Sequence, residues 1–317
     1  MSGAGPRGGG VSGDTFPGVS RTYTVIVNPA SGRGRMLKQL PAISQALDAA
    51  GIDATVKVSE SPEHPRELAA QAVDAGHVVV ACGGDGLVGL VAGCVSELGG
   101  TLGIIPAGSG NDFARTLGFD PKDPVAAVDT LVTGVARHVD LGRADGRLFC
   151  CVASTGFDAE ANRWANSVTR LKGTSLYIAA MLRTLATYRP RSFALTVDGE
   201  RHELEGWLVA VGNATSYGGG MQVCPGARVD DGLLNCTVVG PVSRLAFLRT
   251  FPSVFKGTHV DHPEVHTFTG ARVHIEALDG APSPVYADGE SYGDLPVDLE
   301  IVPGALEVIV PEDNPGT

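Results

Sequence analysis

The feature that most constrains this chain is an alternation of short apolar runs with helical-period segments, from Tyr23 to about Asp140. Thr24-Val25-Ile26-Val27 is a β-branched run ended by Asn28-Pro29, which predicts a buried strand and then a loop. Leu37, Leu40, Ile43, Leu47 and Ala50 follow at helical spacing, and Gly51 stops that helix. Residues 54–58 predict a second strand, 65–75 a helix, 77–82 a third strand, 87–98 a helix and 102–105 a fourth strand. Such alternation predicts a parallel sheet covered on both faces. Ligands bind these sheets at the carboxyl ends of the strands.

Three of those ends carry loops dense in small and polar residues. They are Asn28-Pro29-Ala30-Ser31-Gly32, Gly83-Gly84-Asp85-Gly86 and Pro106-Ala107-Gly108-Ser109-Gly110-Asn111-Asp112. Glycines in the second loop let backbone N–H groups approach a phosphate, and the helix after it adds a positive dipole end. Asp85 would repel phosphates without a cation, so Mg²⁺ is implied. The plainer reading of Gly83–Gly86 is a tight strand-to-helix turn, and of Asn111 or Asp112 a helix cap. A cap and a ligand site can occupy one place. The chain has no G-x-x-x-x-G-K-[ST] and no G-x-G-x-x-G after a strand, so neither a P-loop nor a dinucleotide fingerprint is present.

Beyond Asp140 the pattern changes. Residues 148–153, 193–197, 207–211, 233–239, 271–275 and 299–302 predict strands, with one helix over 175–188. The expected fold class is an α/β N-terminal domain with a parallel sheet plus a mainly antiparallel β second domain. Expected boundaries are a disordered Gly/Ser/Pro-rich tail over 1–20, a nucleotide-binding domain over 21–141 and a β domain over 142–317. The C-terminal strand of the second domain can return to the first.

Composition narrows the partners. Lys and Arg number 24 against 35 Asp and Glu, a net charge of −11. That excess argues against nucleic acid and against general attraction to anionic membranes, leaving only a local basic patch for either. Six cysteines without a C-x-x-C pair predict small buried thiols in a reducing cytoplasm. No stretch offers the ~20 apolar residues of a spanning helix. His259, His262, His266 and His274 read as ordinary surface histidines, because Pro263 breaks their helical spacing. Nothing sets the oligomeric state, and a homodimer stays open.

In order and spacing, several motifs resemble the diacylglycerol kinase catalytic-domain family, which includes sphingosine kinases and bacterial lipid kinases. They are Asn28-Pro29-x-Ser31-Gly32, Gly83-Gly84-Asp85-Gly86 and Pro106-x-Gly108-x-x-Asn111-Asp112-x-Ala114-Arg115. The likeness continues through Val139-Asp140-Leu141-Gly142, Gly156-Phe157-Asp158-Ala159, Gly212-Asn213, Tyr217-Gly218-Gly219-Gly220, Asp230-Asp231-Gly232-Leu233 and Asp288-Gly289-Glu290. The resemblance covers nearly everything after Arg21. It implies an NAD-kinase/diacylglycerol-kinase-like fold with ATP between the domains. Asn28, Pro29, Ala30, Ser31, Gly32, Ser59, Gly83, Gly84, Asp85, Gly86, Leu87, Gly108, Ser109, Asn111 and Asp112 would line the nucleotide. Asp85, Asp112 and Asp140 would shape a catalytic Mg²⁺ network. A structural Mg²⁺ would sit at Asp231 with the carbonyls of Arg228 and Leu233.

By the same resemblance Glu290, with Asp288 beside it, would take the proton from a lipid hydroxyl. An alcohol is a poor nucleophile, so a carboxylate that accepts its proton helps it attack the γ-phosphorus. The implied activity is phosphorylation of diacylglycerol or a similar lipid, through transient contact of a cytoplasmic protein with the membrane surface. A sphingoid-base kinase and an NAD kinase are the alternatives within the wider family. Asp198-Gly199-Glu200 repeats the Asp-Gly-Glu tripeptide and is expected to be a plain hairpin turn, the second copy being catalytic. Where the family continues G-G-D-G-T-x-N-E, this chain has Leu87, Gly89 and Leu90. A degenerate member that binds nucleotide or lipid without turnover is the reading those changes favour. The apolar helix over 175–188 is expected to be core, or else to border an acyl-chain pocket or the bilayer.

Overall fold

A computed structural model describes residues 21–168 and 174–312, with backbone only at Arg33 and 174–178. The tail expected over 1–20 lies outside the described residues. The first half runs β1 (Thr22–Val27), α1 (Arg35–Ala49), β2 (Asp53–Val58), α2 (His64–Asp74), β3 (Val78–Gly83) and α3 (Asp85–Leu98). It continues with β4 (Thr101–Pro106), α4 (Asp112–Thr116), α5 (Ala126–Thr133) and β5 (Val135–Ala144). The second half runs β6 (Arg147–Phe149), β7 (Val152–Gly156), α6 (Phe157–Ser167), α7 (Thr174–Thr187), β8 (Arg191–Val197), β9 (Glu200–Gly206) and β10 (Leu208–Gly212). Then come β11 (Leu234–Val239), α8 (Arg244–Thr250), β12 (Val265–Gly270), β13 (Arg272–Ala277), β14 (Pro284–Ala287), β15 (Glu290–Asp294) and β16 (Val297–Val310).

The first sheet has the order β2-β1-β3-β4-β16-β13-β8-β9, with β5 and β6 paired beside β16. Its β2, β1, β3 and β4 are mutually parallel, as the βα alternation demands. β3 is buried along its whole length because helices cover both faces. β9 sits at the sheet edge, where Glu200, Arg201, Glu203 and Glu205 face water. The second sheet, β12-β11-β10-β7-β14-β15, is antiparallel throughout. Phe193, Leu195, Val209, Val211, Val273 and Leu299 pack between the two sheets.

β16 joins the halves. It pairs parallel with β4 and antiparallel with β13 and β5. A register shift between Val302 and Leu306, with Gly304 at φ +58°, lets one strand serve both. The strand expected over 299–302 is thus the middle of a longer one.

Other expectations need correction. The second half has three helices among its described residues, not one. α6 has only Phe157 and Trp164 as large apolar residues and so shows no clear helical period, and α8 has only seven residues. β5 went unread because Arg137, His138, Asp140 and Arg143 interrupt its apolar residues. Both copies of Asp-Gly-Glu are two-residue hairpin turns: φ is +46° and +91° at Asp198-Gly199, and +50° and +86° at Asp288-Gly289. His259 is buried, with Nε2 against the Val223 carbonyl at 3.2 Å, so it is no surface residue. All six cysteines are buried and free. No helix among the described residues is long and apolar enough to cross a membrane.

Candidate active site

The parallel register sets the ends of β1, β3 and β4 side by side, and their three loops interlock. Ser31 reaches across to Gly83: a Cβ there would lie 3.0 Å from its hydroxyl. The Gly84 N–H points at the same Oγ, at 3.4 Å. Gly84 and Gly108 pass backbone against backbone, so that a Cβ on Gly108 would fall 2.3 Å from the Gly84 Cα. Only glycine permits that approach. Asn28 Oδ1 accepts the Ala30 N–H and shapes the first loop, whose Pro29 and Ala30 lie toward solvent. Gly32 abuts the Ala107 carbonyl. Ser59, at the end of β2, is tied to β1 by its N–H to the Val27 carbonyl.

Between the loops, the N-terminus of α3 has no side-chain cap, and the space over Gly86 is open. Backbone N–H groups there are available to an anion, the cradle expected for phosphate. Leu87 differs from expectation. Its side chain is buried and folds back on Gly83, so it offers a phosphate only its N–H. Ser109 stands exposed on the rim.

The carboxylates organise backbone. Asp85 accepts the N–H groups of Asn111 (2.8 Å) and Asp112 (2.6 Å). Asn111 adopts a left-handed φ of +54°, and its Oδ1 takes the Gly108 N–H. Asp112 in turn accepts the N–H groups of Gly219 and Gly220, both at 2.7 Å, and the Ser216 hydroxyl. The second half is thereby latched to the glycine-rich loops after β3 and β4. Asp288 accepts three N–H groups, from Cys150, Cys151 and Val152. Burial, with a smaller push from the Asp85 charge, raises its carboxyl to about 6. Asp85 is raised too, by burial first and then by the charge of Asp112. Glu290 stands exposed beyond the Asp288-Gly289 turn.

Asp85, Asp112 and Asp288 are thus neighbours with no Lys or Arg paired to any of them among the described residues. Buried or half-buried carboxylates lacking a basic partner suit a divalent cation bound with phosphate. No group of three or more His, Cys, Asp or Glu side chains converges as a metal site among the described residues, so a divalent cation held here would need ligands from phosphate and water as well. The two oxygens of Asp140 accept the N–H groups of Gly232 and Gly304, at the bend of β16, while its carbonyl and that of Cys150 share the Asn213 amide. At the expected structural metal site, Asp231 accepts the Leu233 N–H, and the guanidinium of Arg228, whose carbonyl was the expected ligand, pairs with Asp230.

A narrow apolar pocket, partly open to solvent, lies on the other side of the Tyr217–Met221 turn. Phe157, Met181, Leu208, Val239, Phe247 and Phe251 supply its walls. Asp158 lies in it, with one oxygen accepting the Tyr217 hydroxyl at 2.9 Å and the other buried without a partner. Burial raises its carboxyl. Sequence reasoning could not assemble this pocket, because the six wall residues named come from six separate elements. The signals were the apolar helix over 175–188, one alternative for which was to border an acyl-chain pocket and which supplies Met181, and Phe157-Asp158 and Tyr217 within the family motifs.

Fold and site together define a kinase of the two-domain type, with an anion cradle of backbone N–H groups and a β domain latched over it. The family described as "Diacylglycerol kinase catalytic domain" matches residues 22–144, and "YegS C-terminal NAD kinase beta sandwich-like domain" matches 151–310. A diacylglycerol kinase of Mycobacterium tuberculosis is 40% identical over 298 residues, 91% of this chain and 94% of that one. A diacylglycerol kinase of Bacillus subtilis is 28% identical over 297 residues, covering 92% and 96%. The fold matches the crystal structure of a diacylglycerol kinase from Bacillus anthracis, with TM-score 0.71, 24% identity and coverage of 92% and 97%. This chain belongs to the diacylglycerol kinase catalytic-domain family and is a kinase of its lipid-kinase branch.

Proposed function

We propose that this chain transfers the γ-phosphoryl group of ATP to the hydroxyl of diacylglycerol or a similar neutral lipid, at a membrane surface that it visits. The observation that carries this reading is the turn Tyr217–Met221. Tyr217 and Met221 line the apolar pocket, while Gly219 and Gly220 between them are held by Asp112 in the nucleotide cleft. One turn therefore separates a place for acyl chains from a place for phosphates.

The N–H groups at the start of α3 hold the phosphates, and Asp85 and Asp112 keep the loops in register around them. Glu290 accepts the hydroxyl proton as the lipid oxygen forms its bond to the γ-phosphorus and the bond to ADP breaks. Asp288 fixes the turn that carries Glu290. Mg²⁺, bound chiefly through phosphate oxygens beside Asp85 and Asp112, would neutralise the developing charge.

A second reading, a nucleotide or lipid binder without turnover, draws on Leu87, which provides no hydroxyl to the cradle. Labelled ATP offered with a panel of diacylglycerol, sphingoid bases and NAD separates the readings. Label on diacylglycerol supports the proposal. Label on NAD or a sphingoid base alone, or on none, defeats it.

A further inference from the structure

The second half carries a face that the cleft does not use. On α8 and the 3-10 turn after it (Phe251–Lys256), Leu245, Leu248 and Phe255 are 57%, 49% and 50% exposed, and Leu182 on α7 is 59% exposed. Their neighbours Phe247 and Phe251 turn inward to wall the apolar pocket. The two helices are joined, since the Arg244 guanidinium donates to the carbonyls of Leu185 and Tyr188. Exposed apolar side chains therefore flank the pocket on both helices.

Charge on this face opposes that of the molecule. The stretch 244–256 holds Arg244, Arg249 and Lys256 and no acidic residue, in a chain of net charge −11. On α7 and just after it, Arg183 and Arg189 are exposed, again with no acid between 174 and 191. Nearby Glu160 is already paired with Arg163. Asp261 and Glu264 lie beyond the far end of the turn. Leu245, Leu248 and Arg249 share one helix face. Apolar groups with cations among them, on a short surface helix, suit the headgroup region of an anionic bilayer. A second copy of the chain fits less well, because self-docking would set Arg249 and Lys256 against their own kind.

We infer that α8, the turn Phe251–Lys256 and the solvent side of α7 form a docking face for an anionic bilayer. This rests on the lipid-kinase reading and adds to it a route: the pocket mouth meets the bilayer where the lipid is drawn out. The local basic patch that the overall charge left open is this face.

Sedimentation of the whole protein with vesicles tests it without nucleotide. Phosphatidylcholine vesicles with a minor fraction of phosphatidylglycerol should bind it, more weakly as salt rises, and pure phosphatidylcholine should not. Each basic group removed should weaken binding about fivefold, so Arg249→Glu with Lys256→Glu should abolish it at moderate salt. Leu245→Ser with Leu248→Ser and Phe255→Ser should weaken binding without changing turnover of a dispersed short-chain diacylglycerol, which also reports that the variant is folded. Equal binding to both vesicles, or variants that bind as wild type does, would overturn the inference. So would a dimer in solution that the apolar variant dissolves, which would give the face to a second copy. Vesicle binding as described with no turnover of the short-chain lipid would instead overturn the lipid-kinase reading.

Discussion

The Asp85 carboxylate accepts the backbone N–H of Asp112 at 2.6 Å, and Asp112 hands the restraint on to Gly219 and Gly220. Two acidic side chains in series thus couple the loop after β3 to the loop after β4, and both to the second half. Asp85→Ala strands two buried N–H donors, each costing about 1–3 kcal/mol. It should lower Tm and, by shifting the loops, cut kcat/KM at least ~100-fold. Thermal melts and steady-state kinetics on the same preparation check this. Wild-type kinetics in Asp85→Ala would remove the carboxylate from the machinery.

Gly108→Ala tests the interlocked loops. Its methyl would fall 2.3 Å from the Gly84 Cα, backbone against backbone, with no flexible side chain to yield. The loops must part, and the cradle at the start of α3 opens with them. Affinity for ATP, measured by calorimetry, should fall about tenfold or more. Gly93→Ala, further along α3, is the control: its methyl would meet nothing closer than Leu148 at 4.0 Å, so it should bind ATP as wild type does.

Glu290→Gln should reduce kcat by about 100-fold or more, the ordinary contribution of a general base. Because Glu290 is exposed, Tm should hardly move. A variant with wild-type kcat would shift the role of base to Asp288.

The pH dependence follows from burial. Asp288 is raised from 3.8 to about 6 in the folded protein, and Asp85 and Asp158 are raised as well. A carboxyl raised on folding contributes stability fully below its unfolded value, and loses it as pH climbs through the folded one. Tm of the free protein should therefore fall by a few degrees between about pH 4 and pH 7. Asp279, depressed to about 2 by Arg191, acts only at lower pH. If the Asp288 carboxylate must be ionised for catalysis, kcat/KM should drop below about pH 6. A Tm that rises steadily over the same range would contradict the assignment.

The βα alternation was legible because each strand there is a continuous buried run and each helix has a clean period. The three loops were legible from their glycines as close-packed loops at the ends of the parallel strands. Residue roles were harder. Asp198 and Asp288 sit in identical turns, and what separates them is the partner strand. Asp198 takes the N–H groups of Ala271 and Arg272 at the surface, whereas Asp288 takes three in the interior. Asp140 falls in a family motif, yet its partners are Gly232 and Gly304, far off in sequence. The pocket and the basic apolar face depend on which helices become neighbours, and no local pattern encodes that.

The position of β16 also bears on how the molecule is made. β4 needs the last residues of this strand as its parallel neighbour, although they follow it by about two hundred positions in the chain. On the ribosome, the first half emerges with that edge bare and must wait through the synthesis of the entire second half. A partner so distant in sequence makes closure of the sheet slow, and leaves the unfinished half prone to aggregate. Nascent chains halted before Val297 should therefore engage chaperones and resist native-like compaction, while chains carried past Val310 should be released from them.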